Sequence, residues 1–71
     1  MNIKEKIGLR VKQIRKEAGL SQEALALKAG IDRTYVNSVE NGKRNVSIVN
    51  ISKIADALNI SLSNLFNSEI F

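Results

Sequence analysis

The stretch Ser21–Glu40, SQEALALKAGIDRTYVNSVE, decides how the rest of the chain is read. Ser21 is a good N-cap, and Gln22, Glu23 and Ala24 open a helix behind it. Leu25, Ala26 and Ala29 supply that helix with an apolar face. Gly30 stops it, because glycine takes the left-handed position after a helix without a Cβ clash. Ile31 follows, and Asp32 is placed to cap a second helix running from Arg33 to about Glu40. Two helices separated by a break of about three residues containing Gly form a helix-turn-helix unit.

The second helix of the unit has two unlike sides. At 100° per residue, Val36 and Val39 share one side and must face a core. Arg33, Thr34, Asn37, Ser38 and Asn41 fall opposite. All five can hydrogen-bond and none is acidic; Asp32 and Glu40 only flank the face. On a lone helix this would be an ordinary solvated surface. On the second helix of a helix-turn-helix unit it suits an anionic partner, and DNA above all.

Working outward, the N-terminal side predicts a helix from about Ile3 to Ala18. Ile3, Ile7, Val11, Ile14 and Ala18 recur at helical spacing and make one apolar stripe. Gly19 ends it, and Leu20 links it to the central unit. Arg10 and Arg15 flank the stripe, with Lys12 and Lys16 on the far side. Such a basic amphipathic helix can lie on a membrane surface, but this stripe lacks Trp and Phe and is needed by the core. Leu9 and Leu27 point away from their apolar faces and read as scattered exposed leucines.

On the C-terminal side, NGKRNV (Asn41–Val46) is a turn, since Asn-Gly is a strong turn signal. Lys43 and Arg44 either complement the preceding helix dipole or grip phosphate, and the two roles are compatible. Ser47 can cap a fourth helix, about Ile48–Leu58, striped by Ile48, Ile51, Ile54, Ala55 and Leu58. Asn59 suits a left-handed cap. Ser61 can start a short fifth helix with Leu62, Leu65 and Phe66 on one face.

Seventy-one residues make one domain, 1–71, with its helix-turn-helix unit at about 21–41. A domain so small buries only about 60% of its unfolded surface. With no Cys and no His, neither disulfides nor a zinc site staple it. Its stability must come from well-patterned helices, oligomerisation or both. The same absences remove the usual nucleophile and base pairs, so an enzyme is disfavoured. Eleven Lys and Arg against seven Asp and Glu give +4, which favours nucleic acid but is also ordinary for a small soluble domain. No apolar run approaches the ~20 residues of a membrane span. There is no signal-peptide pattern, so the chain reads as cytoplasmic.

In combination, IRKEAGLSQEALA, AGIDRTYVNSVENGKR and IADALNISLSNLF resemble the Cro and phage-repressor helix-turn-helix family, also called the xenobiotic-response-element family. The resemblance extends from about Ile7 to Phe66, and DRTYVNSVENGKRNVSIVNI is most similar to the controller proteins of restriction–modification systems. It implies an all-α, five-helix, lambda-repressor-like domain that regulates transcription as a homodimer on a near-palindromic operator. Its partners would be double-stranded DNA, entered through the major groove, a second copy of the chain, and RNA polymerase; no cofactor is implied. Arg33, Thr34, Tyr35, Asn37 and Ser38 would lie at base edges. Gln22, Asn41, Lys43, Arg44 and Asn45 would hold phosphate. Arg15 and Glu40 match residues that form an ion pair in relatives. The C-terminal half, about 47–71, carries more apolar residues than one side can bury, so Val49, Ile60, Leu62, Leu65 and Phe66 are expected at a dimer interface. The first cap departs from a capping box, because Ala24 stands where Glu or Gln would close it. An antitoxin or a phage-repressor-type regulator acting partly through a protein partner is the alternative, although an antitoxin usually appends a longer toxin-binding segment.

Overall fold

The computed structural model describes the whole chain, residues 1–71. Five helices follow one another: α1 (Ile3–Glu17), α2 (Gln22–Ala29), α3 (Arg33–Glu40), α4 (Ile48–Ala57) and α5 (Leu62–Phe66). The expected helix-turn-helix unit is α2 and α3.

A repeated local grammar produces these elements. Ser21, Ser47 and Ser61 each accept a hydrogen bond from the backbone N–H three residues on, at 3.0–3.1 Å. An apolar residue precedes each of these caps, and also Asp32 at the N-cap of α3, and another sits at the fourth helical position: Leu20 and Leu25, Ile31 and Val36, Val46 and Ile51, Ile60 and Leu65. All four leading residues pack against the core, and all four trailing ones belong to it. This is the pattern of a hydrophobic staple, which fixes the angle at which the chain enters a helix. α1 opens differently. Asn2 and Glu5 form a reciprocal capping box, each side chain bonding the other's backbone N–H at 2.9 Å, a signal not anticipated in the sequence.

The helix ends are equally regular. After α1, α2, α3 and α4 the chain makes paired hydrogen bonds back to the last turn, with Gly19, Gly30, Gly42 and Asn59 at positive φ. In three of them the next residue is apolar (Leu20, Ile31 or Ile60) and docks on the core. After α3 the next residue is Lys43, which is exposed.

The core joins every helix. Val11, Leu25, Val36, Val39, Ile54 and Leu65 are sealed from solvent, each contributing about 1.5–3 kcal/mol relative to exposure. α1 packs on α3 and α5, and α2 packs on α3 and α4. Gly8 is where α1 crosses the end of α3. A Cβ there would overlap the carbonyl oxygen of Val39 and lie 2.9 Å from that of Glu40, so only glycine permits the approach. Arg10 ties α1 to α5, donating from Nε to the Leu65 carbonyl and from Nη2 to the Asn64 carbonyl, both at 2.8 Å.

Several expectations need correction. The α1 stripe is buried only in its middle: Ile3 and Ala18 are exposed, because they lie at or beyond the helix ends that overrun the bundle. Ile48 is 83% exposed; with Val49 it forms a first turn of α4 that stands clear of the core set by Ile51, Ile54, Ala55 and Leu58. Asp32 occupies the N-cap of α3, but its side chain makes no cap bond. Leu9 and Leu27, by contrast, are exposed as expected. No helix is long and apolar enough to cross a membrane.

Candidate nucleic-acid interface

α3 is amphipathic in the way its sequence requires. Val36 and Val39 anchor it to the core, while Arg33, Thr34 and Asn37 are exposed on the opposite side. These three residues, with Gln22 from the start of α2, line one shallow recess. Arg15–Glu40 is the molecule's one ion pair, so the Arg33 guanidinium is uncommitted. Ser38 is half-buried one turn further along α3.

The far end of α3 is held from below. Arg15 Nε donates to Glu40 Oε2 at 2.6 Å and Nη2 donates to Oε1 at 2.9 Å. Its Nη1 donates to the Leu20 carbonyl at 2.7 Å. Both ion-pair side chains are at least nine-tenths buried. The hydrogen bond to Glu40 pushes the Arg15 guanidinium further above its ordinary range and outweighs the opposing effect of burial. A raised folded-state value means this contribution is complete below the ordinary arginine range and fades only above it. Arg15 therefore stays charged through any working pH. The pair also neutralises Glu40, so no free carboxylate stands behind the exposed face.

Glu40 has a third donor. Gln22 Nε2 donates to its Oε1 at 3.1 Å, Asn37 Nδ2 donates to Gln22 Oε1 at 3.1 Å, and Asn41 Nδ2 donates to Asn37 Oδ1 at 3.0 Å. The ion pair and three of the anticipated polar residues are thus one connected network that runs from the core to the surface.

The turn after α3 carries Lys43, Arg44 and Asn45, all exposed. Lys43 is fixed by its own backbone, its N–H donating to the Ser38 carbonyl at 3.0 Å. Arg44 lies over the half-buried Tyr35 ring, 4.7 Å from the ring centre, within range of a cation–π attraction. The Tyr35 hydroxyl accepts from the Ser47 N–H at 3.4 Å, linking α3 to the start of α4. A second recess gathers Ile31, Asp32, Thr34, Tyr35, Arg44 and Asn50. Asn50 was not anticipated, because it belongs to α4 and reaches this face only through the fold.

The residues expected at a dimer interface divide. Val49, Leu62 and Phe66 are exposed, and Phe66 meets Phe71 with ring centres 5.3 Å apart. Ile60 is half-buried against the core. Leu65 is a correction: at 1% exposure it is a core residue of this chain and has no surface to offer a partner.

The helix-turn-helix family model matches residues 11–65. The chain belongs to that family. It is 52% identical over 67 residues to the control protein C.MunI of Mycoplasma sp, covering 93% of this chain and 90% of that one. Among solved structures, the restriction–modification controller protein C.AhdI from Aeromonas hydrophila superposes with a TM-score of 0.86 at 52% identity, over 89% of this chain and 96% of its own. The controller protein C.Esp1396I, solved as a tetramer in complex with its natural 35 base-pair operator, gives a TM-score of 0.87 at 35% identity over 93% of this chain and 87% of its own. Within the family the chain is thus closely related to restriction–modification controllers. The matched span takes in the recess at α3 and the turn after it, and the all-α, five-helix architecture is that of a lambda-repressor-like domain.

Proposed function

We propose that this chain is a controller protein: a homodimeric, sequence-specific regulator of transcription that lays α3 in the major groove of a near-palindromic operator. It is a binding protein and not an enzyme. The observation that carries the reading is the exposed, uncommitted N-terminal part of α3, where Arg33 and Thr34 stand free, with Asp32 at the helix start as the flanking acid and Glu40 at the far end already paired. N-terminal residues of a recognition helix are the ones that reach base edges. The planar fork of Arg33 matches guanine O6 and N7, with Thr34, Tyr35 and Ser38 beside it. Gln22, Asn41, Lys43, Arg44 and Asn45 border the same face and hold backbone phosphate, which sets register without reading sequence.

The exposed apolar residues Val49, Leu62 and Phe66 support a two-fold dimer through the C-terminal half, since a two-fold interface repeats one patch on both subunits. Half-sites then lie about 34 Å apart or a multiple of that. The tetramer of C.Esp1396I on its 35 base-pair operator supports more than one dimer on a control region here; RNA polymerase, the partner the family resemblance implies, is proposed on that resemblance alone. Selecting bound duplexes from a random pool tests the reading. Two related half-sites at that spacing are the expected result; an asymmetric site, or no enriched sequence, would count against it. Sedimentation that shows only monomer at high micromolar concentration, unchanged by DNA, would remove the dimer.

A further inference from the structure

The polar network at the end of α3 has a direction. Both Glu40 oxygens only accept hydrogen bonds, so the side-chain amide of Gln22 must turn its nitrogen toward Glu40 (3.1 Å) and its oxygen away. That oxygen then requires a donor, and Asn37 Nδ2 supplies it at 3.1 Å. Asn37 Oδ1 is satisfied in turn by Asn41 Nδ2 at 3.0 Å. One buried carboxylate, itself fixed by Arg15, starts this order, and each amide is then held by the donor of the next.

The consequence falls on Gln22. Its nitrogen carries two hydrogens, of which Glu40 takes one and the other remains for a phosphate. If the amide turned over, its oxygen would face both Glu40 and the phosphate, and all three would repel. Asn37 holds the productive orientation by occupying the Gln22 oxygen. We infer that Asn37 is a positioning residue that aims Gln22 at the DNA backbone, rather than a reader of bases in its own right. This rests on the regulator reading above. Both residues lie outside the sealed core, and Arg15 still pairs Glu40 through two hydrogen bonds when either is truncated, so the fold stays intact.

The test is a double-mutant cycle with Asn37→Ala and Gln22→Ala on the full-length protein. Melting temperature is recorded, and affinity is measured for the selected operator and for duplexes with each base pair changed singly. Asn37→Ala is expected to melt with the wild type. It should weaken binding by about two- to ten-fold on every duplex alike, the range of one hydrogen bond, and preserve the order of base-pair preference. The double variant should bind no more weakly than Gln22→Ala alone. Losses that multiply in the double variant, full affinity in Asn37→Ala, or loss of preference at one base pair would overturn the inference while leaving the regulator intact. A wild-type protein that prefers no sequence would overturn the regulator reading and this inference together.

Discussion

The two ends of α3 make an instructive pair. At its C-terminal end, Glu40 receives three donors from two other helices, Gly8 of α1 lets the backbones touch, and the backbone closes on itself through Gly42 and Lys43. At its N-terminal end, Asp32 makes no side-chain cap and Arg33 and Thr34 are free. One end is over-determined and the other is left open. A reading helix needs both, because base contacts are useful only if the helix axis is fixed by something other than those contacts. Residues at the open end can be exchanged for new specificity without loss of stability; those at the held end cannot.

Breaking the held end should have the largest effect. Glu40→Gln leaves the buried Arg15 charge unpaired and should cost about 3–5 kcal/mol. That is a fall in melting temperature well beyond 10 °C for a domain of this size, at about 4–8 °C per kcal/mol, and thermal denaturation checks it. Gly8→Ala should follow, since separating α1 from α3 to admit a methyl group costs about 1–3 kcal/mol. Chemical denaturation reads that loss, and DNA affinity should fall with it. At the open end, Arg33→Ala should leave stability within about 0.5 kcal/mol and instead remove about 1–3 kcal/mol of cognate binding. Arg44→Ala should have the smallest and least selective effect, a weakening shared by cognate and scrambled DNA. The slope of log affinity against log salt should fall by about one for each phosphate no longer neutralised. A dimer uses each residue twice, so the DNA effects can double on a full operator.

How much of this was legible in the sequence follows the same division. The helices were legible because their signals are local: serine caps, Gly or Asn stops, and apolar residues at helical spacing. The α3 face was legible because Val36 and Val39 fix its rotation. What escaped was non-local. Nothing within α1 announces that Gly8 must meet the Val39 carbonyl, that Arg10 reaches the carbonyls of α5, or that Asn50 joins Tyr35 and Arg44. Leu65 was misplaced for the same reason: a wheel places it on the same face as Phe66, yet only the packing of α1 and α4 against α5 separates the buried residue from the exposed one. The helix stops also differ in a way that bears on the partner. Gly-Leu, Gly-Ile and Asn-Ile follow α1, α2 and α4, but Gly-Lys follows α3, and of these four helix C-termini it is the one that borders the proposed DNA face.

The central claim, that the open end of α3 reads while its surroundings hold, is tested most directly by titrating Arg33→Ala against cognate and scrambled duplexes at several salt concentrations. The account predicts a loss of about ten- to a hundred-fold or more on the cognate duplex, a relaxed preference at one base pair per half-site, and nearly unchanged binding to the scrambled one. An equal loss on both duplexes, with a shallower salt slope, would make Arg33 a backbone contact and contradict the assignment of α3 to the groove.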